Sequence, residues 1–220
     1  MALSRILEPE VMDTLEEAQD YDSMNHQHVN QVFVDDVLEF GINTGDLLDL
    51  GTGTAQIPVH FCLKCPDVRI MAVDMAVNML DLARYNIEVA GVTERVQLAQ
   101  CDAKDLPQED ETFDAVISNS IVHHIPDPMA CLREAVRVTK SGGRLFIRDL
   151  MRPDSEEQLE SFVETYAGEE NEHQQKMFRE SLHAALSLAE IRAGVESLGF
   201  EPESVQATSD RHWTWAAIKA

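Results

Sequence analysis

Four short stretches of this chain end in residues able to hold a polar, partly cationic ligand. LLDLGTGTAQ sets Asp49 two places before Gly51 and follows it with Gly53. VDMAVNML carries Asp74, twenty-three residues beyond Gly51, and AQCDAKDLP carries Asp102 and Ala103. SNSIVHHIPDP brings Asn119 and Ser120, then His123 and His124. Paired glycines let a ligand approach the backbone closely. The dinucleotide spacing G-x-G-x-x-G requires glycine at position 56, where this chain has Gln56, so a pyrophosphate cradle is weakened. A carboxylate at Asp49 would repel a pyrophosphate but attract an ammonium or sulfonium group, directly or through water. Asp74 can accept hydrogen bonds from both hydroxyls of a ribose. Asp102 can accept from an adenine amino group while the Ala103 amide donates to a ring nitrogen. Taken singly, Asp74 also reads as a helix cap and Asp102 as a turn residue.

These residues need elements that bring them to one edge. DLLDL, VRIMAVD, RVQLAQCD, FDAVISNS and GRLFIRDL read as strands, and AQIPVHFCLK, NMLDLARYNIEVA and MACLREAVRVT as the helices between them. Strands alternating with helices predict a parallel sheet covered on both faces, with ligands bound beyond the carboxyl ends of the strands. Before the sheet, VNQVFVDDVLEF spaces Val29, Val32, Phe33, Val37, Leu38 and Phe40 as a helix that Gly41 can stop, giving a helical cap over residues 1–41. After the fifth strand, residues 153–186 break the rhythm as an acidic, two-helix insertion. SLAEIRAGVESLGF then reads as a helix with a Ser187–Glu190 capping box and a stop at Gly199. PESVQATS and HWTWAAIKA read as a closing strand pair. The whole, residues 1–220, is expected to be one domain.

Four motifs in order carry more than each alone. LLDLGTGTAQ, IMAVDMAVNML, LAQCDAKDLP and FDAVISNSIVHHIPDP together resemble the class I S-adenosylmethionine-dependent methyltransferases, in particular their small-molecule branch. The resemblance is dense over about residues 45–150, and the last helix and strand pair fit it as well. It implies an α/β fold: a doubly wound, seven-stranded, mostly parallel, Rossmann-like sheet with the last strand antiparallel between the fifth and sixth. It implies S-adenosylmethionine as cofactor, with Asp49 near its methionine end, Gly51 and Gly53 making room, Asp74 on the ribose and Asp102 with Ala103 at the adenine. Met75 would pack on the adenine face, and Tyr21, in AQDYDSMNHQH, resembles an N-terminal aromatic that closes over the cofactor. Ala55 departs from the pattern, which often has a third glycine there.

Methyl transfer is an in-line displacement on an activated sulfonium carbon, so alignment, desolvation and proton removal are what the protein supplies. Asn119 is expected beside the sulfonium, with Ser120. His123 and His124 are candidates for a general base toward the acceptor, for positioning it, or for a structural role. Arg148 and Asp149 alternate faces, so one of them is expected at the pocket mouth. Arg152 reads either as an anion clamp or as an ion pair. Phe162, Tyr166, Met177 and Phe178 of the insertion read either as a substrate chamber or as ordinary core.

Forty acidic against seventeen basic residues give a net charge of −23, which argues against a nucleic-acid partner. The opening MALSRILEPEVMD has no signal pattern and no window approaches a membrane span, so the expected place is the cytoplasm. Cys62, Cys65, Cys101 and Cys131 are too scattered for a disulfide framework. Neither the Cys62–Cys65 pair nor His26 with His28, which share no helix face, predicts a metal, and none is expected. The leading reading is methyl transfer from S-adenosylmethionine to a small-molecule acceptor. The alternatives are a non-catalytic sensor or scaffold that binds the same cofactor, and an NAD-dependent oxidoreductase, against which Gln56 and the lack of a Tyr-x-x-x-Lys pair both count.

Overall fold

A computed structural model describes residues 3–9, 14–23 and 27–220. His26 therefore lies outside the described residues. The elements run α1 (Leu15–Ser23), α2 (Gln27–Glu39), β1 (Gly45–Leu50), α3 (Gln56–Lys64), β2 (Val68–Asp74), α4 (Val77–Ala90), β3 (Val96–Gln100), β4 (Phe113–Asn119), α5 (Pro128–Val138), β5 (Thr139–Leu150), α6 (Glu156–Ala167), α7 (Glu172–Ala184), α8 (Leu188–Ser197), β6 (Val205–Ala207) and β7 (His212–Ile218). The seven strands form one sheet in the order β3-β2-β1-β4-β5-β7-β6. β1 pairs in parallel with β2 and β4, β2 in parallel with β3, and β7 antiparallel with β6. This is the doubly wound sheet with a reversed last strand that the resemblance implies.

The contacts gather into two compact units. One comprises Val11–Asn119, Ala130–Ile147 and Ala216–Ala220. Its core packs Phe33, Val34, Val37, Leu47, Phe61, Ile70, Ile117 and Phe146. All four residues Leu47–Leu50 are buried, as expected of a parallel strand covered on both faces. Helix α2 buries Asn30, Phe33, Val34 and Val37, so its apolar face is centred there, and Val29 and Val32 face outward. Helical spacing alone does not say which of the apolar residues of α2 face the core. Gly41, at φ 89°, ends the helix as expected.

The other unit comprises Met1–Glu10, Ser120–Met129 and Arg148–Trp215. Its core is Leu150, Leu159, Phe162, Val163, Leu182 and Ala185, with Phe178 packed against it. Two of the four insertion residues proposed as chamber or core, Phe162 and Phe178, thus belong to the core. Tyr166 is exposed, with its hydroxyl 2.5 Å from Asp210 and the Arg211 guanidinium 3.4 Å from its ring centroid. Capping boxes start α7 at Asn171 and α8 at Ser187. β6 is only three residues long, because Pro202–Ser204 form a 3-10 turn where PESVQATS reads as strand. Residues 3–9 are not helical, and the first helix among the described residues is α1.

Candidate functional site

Within the first unit, the predicted cofactor residues lie at the carboxyl ends of β1, β2, β3 and β4, which are neighbours in the sheet. The loop after β1 is built on left-handed backbone. Gly51 has φ 69° and Gly53 φ 54°, conformations that glycine adopts without penalty. Ala55 has φ 59°, and there a side chain is carried at a cost of about 1–2 kcal/mol. The turn is tied to β2, since the amides of Gly51 and Thr52 both donate to the Val73 carbonyl at 2.9 Å.

Asp74 continues that tie. One of its carboxylate oxygens accepts from the Gly53 amide at 2.8 Å and the other from the Ala76 amide at 2.9 Å. Asp74 therefore positions the glycine loop, and it is not the cap of α4, whose N-cap residue is Ala76 with no side-chain cap bond. Met75 follows with its side chain exposed, an apolar surface at the end of β2. Asp102, half-buried after β3, accepts from the Lys104 amide at 2.9 Å and pairs with the Lys104 ammonium at 2.9 Å. Its pKa is lowered: burial opposes the shift, and the Lys104 bonds outweigh it. Ala103 lies in this turn, half-buried.

Asp49 is the anomaly of the rim. It is buried, and its Oδ2 makes no hydrogen bond among the described residues. Burial, reinforced by the charge of Asp74, pushes its carboxyl up to about 7. Thr52 opposes the rise, although its own Oγ1 makes no bond of hydrogen-bonding geometry. A buried carboxylate oxygen without a donor is costly unless something positively charged or hydrogen-bonding meets it. Asn119, at the end of β4, likewise has a buried Oδ1 without a partner, and the next residue, Ser120, is left-handed at φ 62°.

Tyr21 lies over the loop, its ring carbon Cε1 3.5 Å from where a Cβ on Gly53 would stand. It packs on Ala18, Ala76 and Met79. Its phenol is pushed up to about 12, first by burial and then by the negative charges of Asp74 and Asp49. Helix α1 is fastened there by a network the sequence did not disclose. Asp22 accepts from Gln56 and Asn86, both at 3.1 Å, Asn86 donates to the Thr54 carbonyl at 3.0 Å, and Asn30 donates to Gln56 at 3.1 Å. Gln56, which breaks the dinucleotide pattern, here joins three helices.

A second polar cluster sits within the other unit. The turn Val122–His124 is gripped by Asp149, whose Oδ2 accepts from the amides of Val122 and His123 at 2.5 and 3.2 Å. Its Oδ1 meets His123 Nδ1 at 2.5 Å. Of the alternating pair, Asp149 is thus committed to this turn, and Arg148 donates to Thr214 at 2.9 Å. Burial opposes a charged His123, and Asp149 overcomes it, so the imidazole pKa is raised and that of Asp149 lowered. His124 Nδ1 lies 3.0 Å from Glu8 Oε1, and His123 Nε2 lies 3.5 Å from the same oxygen. Glu8 had no signal in the sequence: RILEPE is unremarkable in composition, and its partners are more than a hundred residues away. Arg152 pairs with Glu190 at 2.7 Å, which selects the ion-pair reading over the anion clamp.

Known proteins resemble this chain in sequence and in fold. A family described as a methyltransferase domain matches residues 48–147. The chain is 30% identical over 180 residues to a 27-O-demethylrifamycin SV methyltransferase of Amycolatopsis mediterranei, covering 80% of this chain and 62% of that protein. It is 30% identical over 129 residues to a ubiquinone/menaquinone biosynthesis C-methyltransferase of Cellvibrio japonicus, covering 58% of this chain and 51% of that protein. The chain thus spans less than two thirds of either relative. Among solved structures, a provisionally assigned S-adenosyl-L-methionine-dependent methyltransferase of Methanococcus maripaludis superposes with a TM-score of 0.75 at 20% identity, covering 98% of this chain and 97% of that one. That likeness establishes the fold.

Proposed function

We propose that this chain, which belongs to the class I S-adenosylmethionine-dependent methyltransferase family, transfers a methyl group to a small-molecule acceptor. S-adenosylmethionine is the cofactor of the family, and when bound it supplies an activated methyl on a sulfonium sulfur. The observation that carries the reading is Asp49, a buried carboxylate oxygen with no donor at the mouth of a left-handed glycine loop. It fits a ligand bearing an ammonium or sulfonium group, and it disfavours a pyrophosphate.

Around it, Gly51 and Gly53 leave the backbone open, Asp74 brings a carboxylate to the ribose hydroxyls, and Met75 offers an apolar face for adenine. Asp102 and Ala103 serve the base edge, Tyr21 covers the loop, and Asn119 offers its unpartnered oxygen. His123 and His124 follow Asn119 in the same β4–α5 connection and are the candidates for taking a proton from the acceptor. His124, the less buried of the two, is the better placed to exchange that proton with solvent. The relatives' names cover an oxygen and a carbon acceptor, so the class of acceptor is a small organic molecule of either kind. No helix among the described residues is long and apolar enough to cross a membrane. With its acidic charge, we place the protein in the cytoplasm and away from nucleic acid.

Incubation of the full chain with S-adenosylmethionine and a panel of phenols, hydroxyquinones and carboxylic acids tests the proposal. Acceptor-dependent formation of S-adenosylhomocysteine is the expected result. Tight cofactor binding with no turnover across the panel would instead favour the sensor or scaffold.

A further inference from the structure

From the second polar cluster we infer a binding site for a divalent transition-metal ion, Zn²⁺ by preference, formed by Glu8, His123 and His124. The candidate ligand atoms of the three residues lie within 4.8 Å of one another, and theirs is the one such His, Cys, Asp or Glu group among the described residues. Glu8 Oε1 stands 3.0 Å from His124 Nδ1 and 3.5 Å from His123 Nε2. Ligands about 2.0–2.1 Å from a tetrahedral zinc are separated by ~3.3 Å, so both edges are already close to the required length. The third edge, between the two imidazole nitrogens, lies within 4.8 Å.

Two further observations point to a ligand. Glu8 Oε1 and His124 Nδ1 are both buried and face each other at 3.0 Å, an approach that lowers the Glu8 pKa against the effect of burial. Yet neither meets a donor or acceptor with hydrogen-bonding geometry among the described residues, and the Glu8 side chain is only 8% exposed. The groups behind the ligands are also arranged as metal sites require. Asp149 engages His123 Nδ1, which holds the tautomer with a lone pair on Nε2, the nitrogen facing Glu8. Ser181 donates to Glu8 Oε2 at 3.2 Å, leaving Oε1 for the ion. The segment bearing Glu8 is fastened in place: Arg5 donates to the carbonyls of His123, Ile125 and Ala184 at 3.2, 3.0 and 2.7 Å, and the Ile6 amide to His183 at 3.1 Å.

Two nitrogens and one carboxylate oxygen make three protein ligands, which leaves a fourth position for water or an exogenous oxygen. Binding would occupy the lone pairs that the imidazoles otherwise use as bases, so metal loading and proton acceptance at those nitrogens exclude each other. The site shares His123 and His124 with the proposed proton acceptors but no residue of the cofactor rim, and its test reads metal binding rather than methyl transfer.

Chelator-treated full-length protein should be titrated with Co²⁺ as the spectroscopic probe. One equivalent should bind, with visible d–d absorption of a low-coordinate nitrogen/oxygen site and no thiolate charge-transfer band, and Zn²⁺ should displace it. Glu8→Gln and His124→Ala should each weaken binding by at least about tenfold, the loss that even outer-shell changes produce. S-adenosylhomocysteine binding serves as the control for folding of both variants. Absence of the d–d band, a thiolate band indicating the cysteines, or affinity unchanged in both folded variants would overturn the inference.

Discussion

Asp49 concentrates the chemistry of the cofactor rim in one carboxyl group. Its pKa, raised to about 7 in the folded protein, exceeds the unfolded value of about 3.9. The stabilisation it gives is therefore fully present below about pH 4 and is lost as pH rises through 7, by an amount on the order of a few kcal/mol. Denaturant midpoints of the ligand-free protein should fall as pH rises from about 4 to about 7, and Asp49→Asn should flatten that slope. A bound cation favours the ionised form and expels the proton. Affinity for S-adenosylhomocysteine, which carries an ammonium group, should accordingly rise by up to about tenfold per pH unit below 7. Asp49 was legible from its place two residues before a glycine turn, but its orphaned oxygen was not, because only the packed structure shows which polar atoms lack partners. Glu8 was not legible at all.

At the scale of elements, the glycine loop and helix α1 are joined through side chains. Ala55 pays for a left-handed backbone that a glycine would adopt freely, so Ala55→Gly should stabilise the protein by about 1 kcal/mol, less the unfolded-state entropy that glycine adds. Thermal melting reads the sign. Asp22 anchors α1 through Gln56 and Asn86. Asp22→Ala should raise amide exchange in α1 and speed cofactor dissociation while leaving exchange in β1 and β2 unchanged. The strands and helices flanking the loop were readable because apolar runs and turn residues alternate there, and their local preferences agree with the fold. The network was not, since its members are polar residues scattered over residues 22–86 whose meeting depends on tertiary packing. The same limit explains Val29 and Val32, whose outward direction is set by what α2 packs against, and the three-residue β6, which Pro202 shortens.

For the whole molecule, the dominant quantity is charge. A net −23 over 220 residues opposes compaction by self-repulsion, and mobile ions screen it. The melting temperature should rise from low to physiological salt, and a fall would show that paired charges, rather than net repulsion, govern the salt response. The fold class was foreseeable from the alternation of strands and helices, and the place of the reversed last strand followed from the resemblance that the four motifs carry. The gathering of contacts into two units was not foreseeable, since segments of both units interleave along the chain.

All of this converges on whether the rim holds an adenosyl thioether. Isothermal titration of wild-type protein with S-adenosylhomocysteine should give one site in the micromolar range, and Asp74→Ala should weaken it by about 1.5–3 kcal/mol, or roughly ten- to a hundredfold. A wild-type protein that is folded yet evolves no binding heat at any temperature tried would contradict the account.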